Sequence, residues 1–335
     1  MIKKTMKPVS RRQFVQYLAL VGATVATPVF SLDQGPELTP KQQRVTPVGQ
    51  ESNAGNFAYI YRNPQLREEF FAFLVNVFHL YPEQQLQQLI QEAAEVYSSD
   101  QNVYRHLQSK LTDIKPFLGE LTFALPALNK QKATMAGQTL QLLNSDRRYE
   151  GYLELGSTGR YIDALEEELN IVGERYFLAE KAPSYSLSDM IDRNQIWQAG
   201  PYIPLADYRT DIGKHIANNS LDLVTVFIGL HHCPIPLREE FLSAIRDAMK
   251  PGAYMVIRDH DARNTKMRAV VGLAHDVFNM GTEESWEYNA RELRHFYSLN
   301  FLDNWLNNSG FVGDGRRLYQ AGDPTHNALM VYRKA

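Results

Sequence analysis

The stretch Tyr152-Leu153-Glu154-Leu155-Gly156-Ser157-Thr158-Gly159-Arg160-Tyr161 decides the reading of the fold. Tyr152 to Leu155 is a short, mostly apolar run that suits a buried strand. Gly156 and Gly159 then turn the chain, since glycine adopts positive φ and lets the backbone pass close to a ligand. Ile162 to Leu169 continues with helical spacing. A strand, a glycine turn and a helix open an α/β sheet. Ligands of such sheets lie beyond the carboxyl ends of the strands, where the strand order reverses.

Working outward toward the C-terminus, the alternation continues. Arg175 to Glu180 reads as a second strand, and Tyr202 to Leu205 as a third that ends at Asp207. Leu221 to Ile228 is a long apolar strand, Arg238 to Met249 an amphipathic helix, and Pro251-Gly252 a turn into the strand Ala253 to Arg258. Asn289 to Asn308 reads as mostly helical, with final strands at Phe311-Val312 and Leu329 to Tyr332. Strands alternating with helices predict a mostly parallel α/β sheet, seven-stranded here, with helices on both faces. This domain spans 147–335.

Toward the N-terminus the texture is helical. Asn63-Pro64 fits a cap with proline at the first helical position. Phe70, Phe73, Leu74, Val77 and Phe78 recur at helical spacing. Tyr81-Pro82-Glu83 restarts a helix, Asp100 is placed to cap another, and Pro116 to end it. A looser segment with Leu121 and Phe123 leads to Met135–Leu143. Residues 57–145 are expected to form an all-helical cap subdomain. Residues 32–56, rich in Pro, Gln, Gly and Thr, read as a linker. Residues 1–31 carry Lys3, Lys4 and Lys7, then Ser10-Arg11-Arg12-Gln13-Phe14, then an uncharged apolar stretch to Phe30. That layout resembles a twin-arginine export signal, and it implies passage through export machinery to the periplasm. An uncleaved signal would hold the protein at the inner membrane, and an inactive one would leave it cytoplasmic.

The chain-wide composition narrows the classes. At 335 residues, with 44% hydrophobic and 22% charged residues, the chain has the balance of a globular protein of about two domains. A net charge of -3 lacks the basic footprint of a nucleic-acid binder. Cys233 is the only cysteine, so neither an intramolecular disulfide nor a cysteine-rich zinc site can form.

Glu154-Leu155-Gly156-Ser157-Thr158-Gly159, Leu221-Asp222-Leu223-Val224 with its Leu230-His231-His232 exit, and Lys250-Pro251-Gly252 before the fifth strand occur in that order. The series resembles the class I S-adenosylmethionine-dependent methyltransferases over about Tyr149 to Tyr332. The resemblance implies a Rossmann-like sheet, S-adenosylmethionine as cofactor and a small-molecule acceptor methylated on oxygen or nitrogen. It assigns Gly156 and Gly159 to the methionine part of the cofactor, with Ser157 and Thr158 offering backbone donors. Glu154 would hold that loop or the amino group, and Glu180 would accept the ribose hydroxyls. Asp207 and Tyr208 would lie against the adenine, and Phe227 to Leu230, Gly229 among them, would line the cofactor. The turn is one residue shorter than the family's Gly-x-Gly-x-Gly run, and Thr158 stands at its middle glycine. Glu174 competes with Glu180 for the second-strand acid, although Arg175 to Leu178 makes the better strand.

The acceptor side gathers histidine and aspartate. His231 and His232 follow the fourth strand, and Arg258-Asp259-His260-Asp261 follows the fifth, with Asn264 beyond. His275-Asp276 sits on the next helix. Histidine titrates near pH 7 and suits a base that deprotonates a hydroxyl or amine acceptor. His232, Asp259, His260 and His275 are the catalytic candidates. No resident metal is expected: alternation along an extended segment splits Asp259 and Asp261 from His260, so they cannot all point inward. Two other readings stand beside the enzyme, namely a non-catalytic protein that keeps the cofactor and a nicotinamide-dependent oxidoreductase.

Overall fold

In β1 (Arg148–Leu155), β4 (Leu221–Val226), β5 (Met249–His260) and β8 (Asn327–Lys334), apolar residues alternate between two buried faces. Leu153, Leu155, Val224, Val226, Met255, Ile257, Met330 and Tyr332 face one side, and Tyr152, Leu223, Val256, Leu329 and Val331 the other. Side chains of a strand alternate with period two, so an all-apolar strand is stable only in a sheet covered on both faces. The computed structural model describes residues 55–115, 125–143, 146–184, 186, 189–190, 193, 198–227 and 229–335. The export-like segment 1–31, the linker up to residue 54, Pro116, Leu121, Phe123 and Ile228 lie outside the described residues.

The sheet runs β3-β2-β1-β4-β5-β8-β6, with β2 (Asn170–Ala179), β3 (Tyr202–Pro204), β6 (Phe311–Gly313) and a short β7 (Leu318–Tyr319) pairing β8. Strands β1 to β5 are mutually parallel, whereas β8 runs antiparallel to β5, β6 and β7. With β7 the sheet has eight strands, one more than the sequence predicts. The order 3-2-1-4-5 is doubly wound, and its switch point falls between β1 and β4. The fifth strand starts at Met249, earlier than expected: Lys250-Pro251-Gly252 is a bulge inside β5, with Gly252 at φ +73°.

The described helices before β1 form two groups. The first comprises α1 (Asn56–Tyr61), α2 (Pro64–Phe73), a π-helical turn (Leu74–Phe78), α3 (Glu83–Val96) and α4 (Asp100–Ile114). Asp100 does not cap its own helix: Ser99 does, accepting from Asn102 N, while the Asp100 carboxylate accepts from Asn56 N at 2.8 Å and Phe57 N at 3.1 Å. These helices share a core with α8 (Thr265–Gly281), which supplies Val270, Leu273, Val277 and Met280. The second group is α5 (Leu125–Leu142), which packs with α6 (Ile162–Glu168) on the sheet itself. The opposite face of the sheet is covered by α7 (Arg238–Ala248) and α10 (Leu299–Asn308). Between α9 (Trp286–Arg291) and α10 the expected helix is broken, and residues 292–298 run irregularly.

Candidate functional site

The glycine turn is braced from beneath. Glu154 is fully buried, and its carboxylate accepts from Tyr152 OH at 3.0 Å, from Tyr161 N at 3.3 Å and from the Ser157 hydroxyl. Burial raises its pKa, against the pull of those three donors. The Glu154 carboxylate thus faces the loop from beneath. Gly159, at φ +102°, is buried against Phe177, whose ring a Cβ would meet at 3.2 Å. Ser157 is also buried, while Gly156 (φ +91°) and Thr158 are half-buried and form the turn's outer surface.

A run of hydrogen bonds links the carboxyl ends of the first four strands. Gly156 N donates to Leu178 O on β2 at 2.8 Å. Two residues further on, the exposed Glu180 accepts from Asp207 N at 3.0 Å through Oε1. Tyr208 then donates its hydroxyl to Gly229 O beyond β4. Ala206, Asp207 and Tyr208 all have positive φ, +50°, +52° and +66°. Left-handed backbone costs a non-glycine residue about 1–2 kcal/mol and is rarely consecutive, so this turn stores strain at the rim of the sheet. Asp207 is exposed. Tyr208 is not: its ring is buried edge-on to Phe241 with centroids 5.0 Å apart, so of its expected contact only the backbone lies at the rim. Phe227 is likewise core, edge-on to Tyr161 at 4.9 Å. Gly229, at φ +118°, admits no side chain, since a Cβ would lie 2.9 Å from the Tyr208 hydroxyl.

Beyond β4 and β5 four imidazoles gather. His231 and His232 leave the turn at Gly229, His260 ends β5, and His275 reaches in from α8, whose N-terminus Asn264 caps through Met267 N. Ring centroids of His231 lie 4.2 Å from His232, 5.1 Å from His275 and 5.5 Å from His260, and Phe296 closes the group 5.0 Å from His275. Each Nδ1 has an outside acceptor: Asp259 Oδ1 for His231 (2.8 Å), Leu293 O for His232 (2.7 Å), Thr325 O for His260 (3.3 Å) and Val271 O for His275 (2.9 Å). Carbonyls and a carboxylate can only accept, so each Nδ1 carries a proton, and in the neutral rings of His232, His260 and His275 the Nε2 is left with its lone pair.

Burial, reinforced by the neighbouring His231, holds His232 down at about 4 and His260 at about 3. Burial with Arg294 and the surrounding imidazoles keeps His275 well below its usual value. Asp259 is buried, which alone would raise it, yet His231, His260 and the Tyr297 hydroxyl at 2.7 Å bring it to about 2. The site thus presents neutral imidazoles at His232, His260 and His275 beside an ionised carboxylate at Asp259.

Of the catalytic candidates, His232, His260 and His275 converge, while Asp259 anchors His231 at Nδ1 and accepts from the backbone N of His260 at 2.8 Å. His231 itself, at the centre, was absent from the expected set, as were Phe296, Tyr297 and the Leu293 carbonyl. Asp261 is spent on Leu299 N, Tyr319 and Arg263. Arg258 pairs with Gln320 and lies 3.8 Å from Asp323, not with its neighbours in sequence.

No protein-family model and no curated protein matches the chain. Solved structures similar to it include the 1,6-didemethyltoxoflavin-N1-methyltransferase of Burkholderia thailandensis, determined with bound 1,6-didemethyltoxoflavin and S-adenosylhomocysteine. That likeness has 14% identity and a TM-score of 0.42, over 70% of this chain and 87% of that one. The CurJ carbon methyltransferase aligns at 16% identity and a TM-score of 0.47, over 82% and 71%. The mitomycin 7-O-methyltransferase MmcR aligns at 15% and 0.43, over 78% and 70%. With TM-scores below 0.5, these likenesses leave the chemistry of this chain to its own residues.

Proposed function

We propose that the protein binds S-adenosylmethionine at the β1/β4 switch point and transfers its methyl group to a small-molecule acceptor. The observation that carries this reading is the hydrogen-bonded rim from Gly156 through Leu178, Glu180 and Asp207 to Gly229. It sets an outward glycine turn and an exposed acid side by side at the edge where α/β sheets bind nucleotide-like ligands. In this reading Gly156 and Thr158 bring backbone to the methionine part. Glu180 offers the ribose hydroxyls the carboxylate oxygen that Asp207 N leaves open, and Asp207 flanks the adenine. Methyl transfer needs in-line alignment of acceptor and sulfonium, so much of the rate enhancement in this reading is positioning. A neutral imidazole of His232, His260 or His275 takes the acceptor proton, a step worth roughly 10²–10⁴ in rate. The dinucleotide alternative fits less well, because antiparallel β8 sits beside β5 where that fold continues with a parallel strand.

Calorimetric titration of the full chain with S-adenosylmethionine and S-adenosylhomocysteine tests the reading. Micromolar binding is expected. Gly156→Val, which forces a side chain onto a φ of +91°, and Glu180→Ala should each weaken it by at least tenfold, about 1.4 kcal/mol. Absence of binding by folded protein would sink it.

A further inference from the structure

We propose that His231, His232 and His275 form a binding site for one divalent first-row transition-metal ion, with zinc as the reference case. One ring nitrogen from each residue lies within 4.8 Å of the others. The hydrogen bonding makes this more than a cluster. His231 Nε2 and His275 Nε2 face each other at 3.1 Å, yet the Nδ1 of each already carries its proton toward Asp259 and Val271 O. Two lone pairs at that distance repel unless a cation lies between them. Imidazole nitrogens about 2.0–2.1 Å from a tetrahedral zinc stand roughly 3.3 Å apart, close to the spacing seen. A ring whose Nδ1–H is tied to a carboxylate or carbonyl, leaving Nε2 for the ion, is the usual support of a metal-bound histidine. His231 has the carboxylate form of that support through Asp259, which Tyr297 holds in turn.

The donor set names the class of ion. Imidazoles without a free carboxylate suit zinc, copper, nickel or cobalt rather than magnesium or calcium. Three protein ligands leave a position open for water or another donor, as in catalytic zinc sites. The inference stands on the imidazoles alone and does not need the methyl-transfer reading; with the ion bound, His260 is the imidazole left to take an acceptor proton. Ion uptake without S-adenosylmethionine binding, or the reverse, separates the two.

The rival occupant of the His231–His275 gap is a proton, and the test distinguishes them. Full-chain protein is stripped with a chelator and titrated with Co²⁺, then Zn²⁺. A single equivalent of Co²⁺ is expected to bind, to give the visible absorption of a low-coordinate, nitrogen-ligated ion, and to be displaced by Zn²⁺. His275→Ala and His231→Ala should abolish uptake. Asp259→Asn should weaken it roughly 10–100-fold through lost support of His231. His215→Ala, on the exposed surface, should leave it intact. X-ray absorption of the zinc-loaded wild type should show an imidazole-nitrogen first shell, a readout that needs no variant to fold. Failure of folded wild type to take up Co²⁺ or Zn²⁺, an oxygen-dominated shell, or uptake unchanged in both histidine variants would overturn the proposal.

Discussion

At the scale of the residue, Glu154 shows how a motif position is decided by its surroundings. The sequence leaves it a choice between loop and ligand, and the three donors from Tyr152, Ser157 and Tyr161 make it a brace. Its pKa is raised by burial. An acid with a raised folded pKa contributes stability that is full below its unfolded value and is lost as pH rises through the folded one. Denaturant unfolding should therefore show a stability contribution that declines as pH rises above about 4.3, the unperturbed glutamate value. Glu154→Gln should flatten that slope, since an amide can still accept from Ser157 and Tyr161 while donating to Tyr152. Glu154→Ala should cost more, roughly 1–3 kcal/mol for each buried donor left unpaired. A pH slope unchanged in the glutamine variant would mean that Glu154 is not its source.

At the scale of the element, what could be foreseen depended on whether the signal was local. Continuous apolar runs placed β1 and β4, because a strand covered on both faces is apolar at every position. Asp100 was misread since a cap partner 44 residues away in sequence, Asn56, leaves no local trace. The helix expected across 289–308 breaks at 292–298 because the chain there answers to distant groups: Leu293 O takes His232, His295 N donates to His231 O, and Tyr297 reaches Asp259. That is why Phe296 and Tyr297 were invisible in sequence, whereas His231 was in plain view beside His232. The left-handed turn at 206–208 has no glycine to announce it either. Ala206 is exposed, so Ala206→Gly should relieve about 1–2 kcal/mol of strain against roughly 0.4–1 kcal/mol of added unfolded-state entropy. A net stabilisation of about 0–1.6 kcal/mol is expected in thermal or denaturant unfolding. A loss of stability would show that the turn is not strained.

At the scale of the whole molecule, α8 belongs to two structures at once. Its Leu273, Val277 and Met280 complete the core of the helical layer, while His275 on the same helix reaches the site and Asp276 is buried against Asn289 and Arg294 at 2.8 and 2.7 Å. Asn56 of α1 approaches the same carboxylate at 3.4 Å. A helix whose apolar face lies in one layer and whose polar face lies in the other transmits any loosening between them, so the layers should unfold together. Trp286 packs with the helical layer and Trp305 lies on the far face of the sheet, which gives a local reporter for each. Variants that keep only one of these tryptophans and also replace Trp197, the third in the chain, should show coincident denaturant transitions by fluorescence. Leu273→Ala, a cavity in the shared core, should cost about 2–5 kcal/mol and move both transitions by the same amount. An earlier transition at Trp286, with Trp305 unmoved, would mean that the helical layer melts on its own. His275 would then owe its position to the sheet rather than to the cap.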